Sequence, residues 1–155
     1  MDFRIRGLDP AAFESLHRLE DAGLEARRAR RQVADSKPGF PCRVTLEDAE
    51  PGERVLLLNY EHLPVETPYR ASHAIFVREG ARARFDAVNT IPPALAGRLL
   101  AIRAFDTRGT MLDADIVEGA SAPQLVARLF DNPAADFLHA HFARRGCFAA
   151  RIDRA

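Results

Sequence analysis

With 155 residues, the chain is long enough for one domain with a substantial hydrophobic core. Its hydrophobic fraction of 47% and charged fraction of 28% are typical of an ordinary soluble globular protein. The 22 basic and 22 acidic side chains give zero formal net charge, which excludes a global electrostatic attraction to nucleic acid or to an anionic membrane.

The amino-terminal segment and the cysteine content predict a cytoplasmic protein. No basic-then-apolar stretch resembles a signal peptide, and no apolar run is long enough to span a bilayer. The only two cysteines, Cys42 and Cys147, are expected to be reduced thiols, because disulfides are characteristic of exported proteins. We therefore expect no nucleic-acid partner, no membrane partner and no cofactor, and the oligomeric state stays open.

The first part of the chain combines a strand, a helix and a basic segment. Residues 3–8 alternate in polarity, which predicts a strand. Asp9 and Pro10 then supply an N-cap oxygen and a proline at the first helical position, and Gly23 is expected to end the helix. The basic segment at residues 27–31 lacks interleaved aromatic side chains, so we interpret it as solvated and not as a nucleic-acid site.

The middle of the chain predicts further strands joined by a polar connection. Residues 42–46 form a short strand, and the apolar run 55–58 is typical of a central strand buried on both faces. Residues 74–77 form another strand. The connection before it carries five side chains with polar groups: Tyr60, His62, Tyr69, Arg70 and His73.

A hairpin and a helix follow. Gly109 stands third in a three-residue loop, the left-handed position that favours glycine. In that register, the apolar pairs are Leu100 with Ile116, Ile102 with Ala114, and Ala104 with Leu112. The other face pairs Arg103 with Asp113 and Phe105 with Met111. Ser121 is then expected to cap a helix whose buried face consists of Leu125, Val126, Leu129 and Phe130.

The last hairpin has two distinguishable faces. Gly146 again stands third in a loop, and the resulting apolar pairs are Phe142 with Phe148, Ala140 with Ala150, and Leu138 with Ile152. The opposite face carries His139, His141 and Arg151, with Cys147 diagonal to His141. This polar face is the best candidate site in the sequence.

The order of these elements predicts an α+β fold. We expect a single domain over residues 1–155, built on a mainly antiparallel β-sheet of about seven or eight short strands with two helices.

The leading functional hypothesis is a pocket that binds or acts on a small anionic metabolite. Arg70 and Arg151 would hold the anion, since guanidinium groups match carboxylate and phosphate geometry. His139, His141 and Tyr69 would supply donors or transfer protons. The remaining pocket residues are Tyr60, His62 and His73. The hypothesis requires residues 59–73 to reach the C-terminal hairpin.

Three alternatives stay open. A zinc-type transition-metal site would use His139, His141 and Cys147, because two histidines two residues apart on a strand can reach one ion. His73 and His62 are also available as the third ligand. Cysteine catalysis would use Cys147 as the nucleophile with His141 as its partner. The third alternative is a non-enzymatic interaction protein. Whether the protein is an enzyme is left undecided by these patterns, and no metal is assigned.

Five stretches carry a resemblance to a known family: residues 38–44, 57–62, 68–80, 103–106 and 146–153. Through them the chain resembles the bacterial domain-of-unknown-function family 1203. The resemblance implies a bacterial, cytoplasmic, single-domain protein, and it implies no particular activity.

Overall fold

The computed structural model describes residues 1–155 and contains nine β-strands and four short α-helices. The strands are β1 (Phe3–Arg6), β2 (Ala29–Val33), β3 (Arg54–Leu63), β4 (Ala71–Arg78), β5 (Asp86–Val88), β6 (Leu99–Phe105), β7 (Met111–Glu118), β8 (Phe137–Phe142) and β9 (Phe148–Arg154). The helices are α1 (Glu14–His17), α2 (Asp21–Glu25), α3 (Pro93–Ala96) and α4 (Ala122–Phe130).

The strands make two antiparallel sheets, which confirms the α+β class. Six strands form the larger sheet in the order β5-β1-β9-β8-β6-β7, and three form the smaller sheet in the order β2-β3-β4. The expectation of one sheet with seven or eight strands and two helices is therefore corrected. No helix has the length and apolar character needed to cross a membrane.

Each sheet has its own hydrophobic core. The larger core joins the six-stranded sheet to α4 and includes Ile102, Leu138 and Ile152. The predicted buried face of α4 is confirmed, since all four of its apolar residues belong to this core. The smaller core packs Phe13 and Leu24 against the three-stranded sheet.

The amino-terminal helix is broken into short pieces. Asp9 accepts a hydrogen bond from the amide of Ala11, as its N-cap role requires, but the first turn is a 3₁₀ turn over Pro10–Phe13. The helices α1 and α2 follow separately, and Gly23 lies inside α2 instead of ending a long helix. The breaks allow both Phe13 and Leu24 to face the smaller core.

The β6–β7 hairpin has the predicted turn but a shifted register. Gly109 has a φ of 81°, and Phe105 lies opposite Met111 as expected. A bulge beside this pair moves every later pair by one residue, so Ala104 faces Asp113 and Ile102 faces Asp115. Because β7 is an edge strand, its side chains need not continue the apolar face of β6.

The β8–β9 hairpin follows the predicted register only in part. The pairs from Phe137–Asp153 to Ala140–Ala150 are confirmed. A bulge then places His141 opposite Phe148, so the loop is longer than three residues. Gly146 has the expected positive φ, 76°, and donates its amide hydrogen to the carbonyl of Phe142. Cys147 consequently lies in the loop.

Two other predictions about the middle of the chain are wrong. Residues 42–46 make only an isolated bridge and turns, because their hydrogen bonds go to scattered partners instead of one neighbouring strand. The polar residues after Leu58 do not end the strand, since β3 continues to Leu63. This extension places His62 and His73 on paired strands.

Candidate metal centre

Four histidines from both sheets meet at one place. His62 lies on β3, His73 on β4, and His139 and His141 on β8. The side chains of His62, His139 and His141 are buried, and one ring nitrogen from each lies within 4.8 Å of the others. Since β3 and β4 belong to the smaller sheet and β8 to the larger, the cluster lies where the two sheets meet.

Two features of the backbone direct these side chains inward: the alternation of side chains along β8 and a bulge in β3. His139 and His141 are two residues apart, so strand geometry projects them from the same face of β8. His62 is the additional residue of a bulge in β3, between the pairs Glu61–Ser72 and Leu63–Ala71. Bulges re-aim single side chains and are frequent beside functional sites.

Hydrogen bonds fix the orientation of the imidazole rings. Nδ1 of His141 lies 3.0 Å from the carbonyl oxygen of Gly146. A carbonyl only accepts, so this nitrogen carries the proton and Nε2 keeps its lone pair. That Nε2 atom is buried and has no hydrogen-bond partner.

The other three rings form a chain of close nitrogen contacts. Nε2 of His62 lies 2.9 Å from Nδ1 of His73, and Nδ1 of His62 lies 3.3 Å from Nδ1 of His139. When His62 donates from Nε2 to His73, its Nδ1 lone pair faces His139. Lone pairs of His62 and His141 are then available to one shared ligand.

Aromatic side chains enclose the cluster. The ring of Phe148 stacks on His62 at 4.8 Å between centroids and meets His139 edge-on at 4.9 Å. Phe105 also packs against His139. Such packing excludes water and restricts rotation of the imidazoles.

Burial keeps the imidazoles uncharged. Desolvation lowers the pKa of His62 to about 4, that of His139 to about 2 and that of His141 to about 3. It also lowers the pKa of His73. Repulsion from neighbouring positive groups lowers these pKa values further, and Arg103, which lies opposite His139 on β6, contributes at all four rings. At neutral pH the cluster therefore offers neutral nitrogen ligands.

The chain matches one known family over most of its length. A family model described as "Protein of unknown function (DUF1203)" covers residues 39–154. The chain belongs to this family. The matched range contains His62, His73, His139 and His141, so the whole cluster lies inside the DUF1203 region. No significant match occurs among curated proteins or among solved structures.

Within the DUF1203 region, residues 59–73 reach the C-terminal hairpin through His62, which contacts His139. Arg70 of the same segment does not join this cluster. Arg70 is half exposed and binds the carboxylates of Glu61 and Glu66. Arg151 likewise binds Asp153 and lies over the ring of Phe137. Because neighbouring carboxylates already neutralise both guanidinium groups, the structure does not bring them together as an anion clamp.

The two tyrosines lie at the edges of the candidate site. Tyr60 is paired with His73 across the strands, and its ring packs between Phe13 and Phe148. Burial raises the pKa of its phenol. Tyr69 is exposed and meets Phe105 edge-on.

Cys147 lies apart from the histidine cluster. The bulge in the last hairpin removes it from the predicted position diagonal to His141, and its Sγ atom lies 3.2 Å from the guanidinium of Arg43. Of the three side chains that the sequence offers as a third ligand, His62 lies within reach of both His139 and His141.

Two important residues were missed by sequence reasoning. Arg43 interrupts the apolar stretch between Cys42 and Val44, and this interruption was the available signal for a buried charge. The sequence pattern places Arg103 on the polar face of its hairpin, but its position beside His139 depends on the β6–β8 pairing, which local pattern does not predict.

Proposed function

We propose that the protein binds a transition-metal ion of the zinc type through His62, His139 and His141. The observation that carries the proposal is the convergence of three buried, uncharged imidazoles on one point. Imidazole nitrogen is a principal zinc ligand, and a ligand must be deprotonated to bind. The lowered pKa values of these histidines meet that condition.

The nitrogen spacing suits a tetrahedral ion. Two nitrogens each bound to zinc at ordinary distance are separated by about 3.4 Å in a tetrahedral site. The Nδ1 atoms of His62 and His139 are 3.3 Å apart. His141 contributes the unpartnered Nε2 atom, whose burial without a hydrogen bond is otherwise costly.

Outer hydrogen bonds resemble those that support metal-bound histidines. Such histidines usually donate the second ring N–H to a carbonyl, a carboxylate or another acceptor, which fixes the tautomer. His141 donates to the carbonyl of Gly146, and Nε2 of His62 lies 2.9 Å from Nδ1 of His73, which accepts when His62 is protonated at Nε2. His73 therefore orients His62 in this proposal.

Three protein ligands leave a fourth position for a water molecule or substrate, the pattern of catalytic rather than structural zinc sites. All three ligands are neutral, so the ion keeps its full positive charge. Arg103 adds a further charge that no nearby carboxylate offsets. An anionic fourth ligand is favoured by both charges, which retains the small anionic metabolite as the substrate class.

Cobalt substitution tests the metal site directly. Protein freed of metal by a chelator is titrated with Co²⁺, whose visible absorption reports tetrahedral coordination. We expect one equivalent to bind the unmodified protein and His17→Ala, because His17 is the only histidine outside the cluster. His139→Ala and His141→Ala should lose the band. Equal spectra for all four proteins, or no band in any, would overturn the proposal.

A further inference from the structure

Arg43 is a buried cation without a carboxylate partner. Its side chain is only 1% exposed. It donates hydrogen bonds from Nε to the carbonyl of Phe148 at 2.7 Å and from Nη1 to the carbonyl of Pro41. The remaining nitrogen, Nη2, lies 3.2 Å from Sγ of Cys147. The guanidinium also lies over the ring of Phe142, 4.8 Å from its centroid.

A charge in this position requires a compensating negative group. Burying an unpaired ion costs several kcal/mol, so buried ions are normally paired or neutralised, and an arginine is rarely neutralised because its pKa is so high. Burial lowers the pKa of Arg43 to about 10, which leaves it charged at neutral pH. The only groups that oppose this lowering are the thiols of Cys147 and Cys42.

Cys147 is the thiol in direct contact, and it is accessible. It is half-buried and lines a cleft of about 1310 Å³ that also contains His73 and Arg144. Cys42 is fully buried, and its sulfur accepts a hydrogen bond from the amide of Arg78. A thiolate is stabilised by an adjacent arginine, and thiolate character together with exposure determines reactivity.

We infer that Cys147 is a thiolate held by Arg43 and that it reacts with small hydroperoxides entering the cleft. The sulfur attacks the terminal peroxide oxygen, an S–O bond forms and the O–O bond breaks. Hydroxide leaves from hydrogen peroxide, and an alkoxide leaves from an organic hydroperoxide. The cysteine is oxidised by two electrons to a sulfenic acid, and the peroxide is reduced. This inference concerns a different group of side chains from the metal proposal and does not depend on it.

Peroxide treatment followed by dimedone, which traps sulfenic acids, tests the inference by mass spectrometry of each cysteine. Cys147 should be labelled and Cys42 should not. Labelling of Cys147 should slow by about tenfold or more in Arg43→Met, because the thiolate loses its cation. Arg144→Ser, which removes a charge from the same cleft but no contact with the sulfur, should change the rate less than about twofold.

A second measurement covers the case in which Arg43→Met does not fold. The ultraviolet absorbance of a thiolate is recorded for the folded protein at neutral pH. Cys147→Ser should remove this band, and Cys42→Ser should retain it. A band that survives Cys147→Ser, or an unlabelled Cys147 after peroxide, overturns the inference. So does an unchanged labelling rate in a folded Arg43→Met protein.

Discussion

The histidine cluster and the Arg43–Cys147 pair bury ionisable groups in opposite ways. The histidines lose their charge, because burial lowers their pKa values far below neutrality. Arg43 keeps its charge and has a thiol as its partner. Phe148 connects the two regions, since its ring stacks on His62 while its carbonyl accepts from Arg43.

This difference determines which ligands each region can bind. Neutral nitrogens with free lone pairs bind a cation, whereas a fixed guanidinium stabilises an anion. Two neighbouring regions of opposite preference can therefore operate without competing for one ligand. Substitutions in the two regions should therefore change stability and metal binding in different ways.

The largest effect on stability is expected at Arg43. Arg43→Ala leaves two buried carbonyls and the sulfur of Cys147 without their donor, and removing one partner of a buried ionic interaction costs about 3–5 kcal/mol. Urea unfolding should show this loss in the free energy of unfolding. Arg108→Ser serves as the control, because Arg108 is 82% exposed. A loss below about 1 kcal/mol would mean that the guanidinium does not stabilise the fold.

The buried histidines should make the free energy of unfolding decrease as the pH falls. Their folded pKa values lie below 6.5, so only the unfolded chain takes up protons as the pH falls below 6.5. Stability is therefore fully present above pH 6.5 and declines towards the folded pKa values. Each buried histidine contributes a slope of about 1.4 kcal/mol per pH unit in that window.

The measurement compares urea unfolding of chelator-treated protein at pH values on either side of 6.5. His139→Phe fills a space already lined by Phe105 and Phe137. It should reduce the slope of the unfolding free energy against pH by the contribution of one histidine. A slope identical to that of the unmodified protein would show that His139 is charged in the folded state.

A smaller effect is expected at Arg103, whose positive charge opposes a cation in the cluster. Arg103→Met should tighten zinc binding by up to about tenfold in buffer without a coordinating anion. The same change should reduce any gain in zinc affinity on adding acetate or phosphate. Competition with a chromogenic chelator measures both quantities, and weaker zinc binding in this variant would contradict the electrostatic account.

The smallest effects are expected at Arg70 and Arg151, which form exposed ion pairs. Substituting either residue with serine should change the free energy of unfolding by less than about 1 kcal/mol and leave zinc affinity unchanged. A large loss of anion binding in either variant would restore the anion clamp predicted from the sequence.

Periodicity predicted the local parts of the site. The two-residue spacing of His139 and His141 placed both on one strand face, and Gly146 was correctly assigned a left-handed turn. Bulges escaped prediction, because inserting one residue changes the register without changing the pattern. They moved Cys147 away from His141 and aimed His62 inward.

Contacts between residues far apart in the sequence also escaped prediction. The contact of Arg43 with Phe148 joins residues 105 positions apart, and no local pattern specifies it. The division into two sheets likewise depends on which strands find each other. Candidate residues were therefore identified more easily than the partners that determine their chemistry.

Metal content tests the central claim most directly. The protein is purified without an affinity tag or chelator, and its metals are measured by elemental analysis beside His141→Ala and His17→Ala. We predict near-stoichiometric zinc or another transition metal in the unmodified protein and in His17→Ala, and its loss from His141→Ala. Metal absent from all three, and not taken up when supplied, would contradict the account.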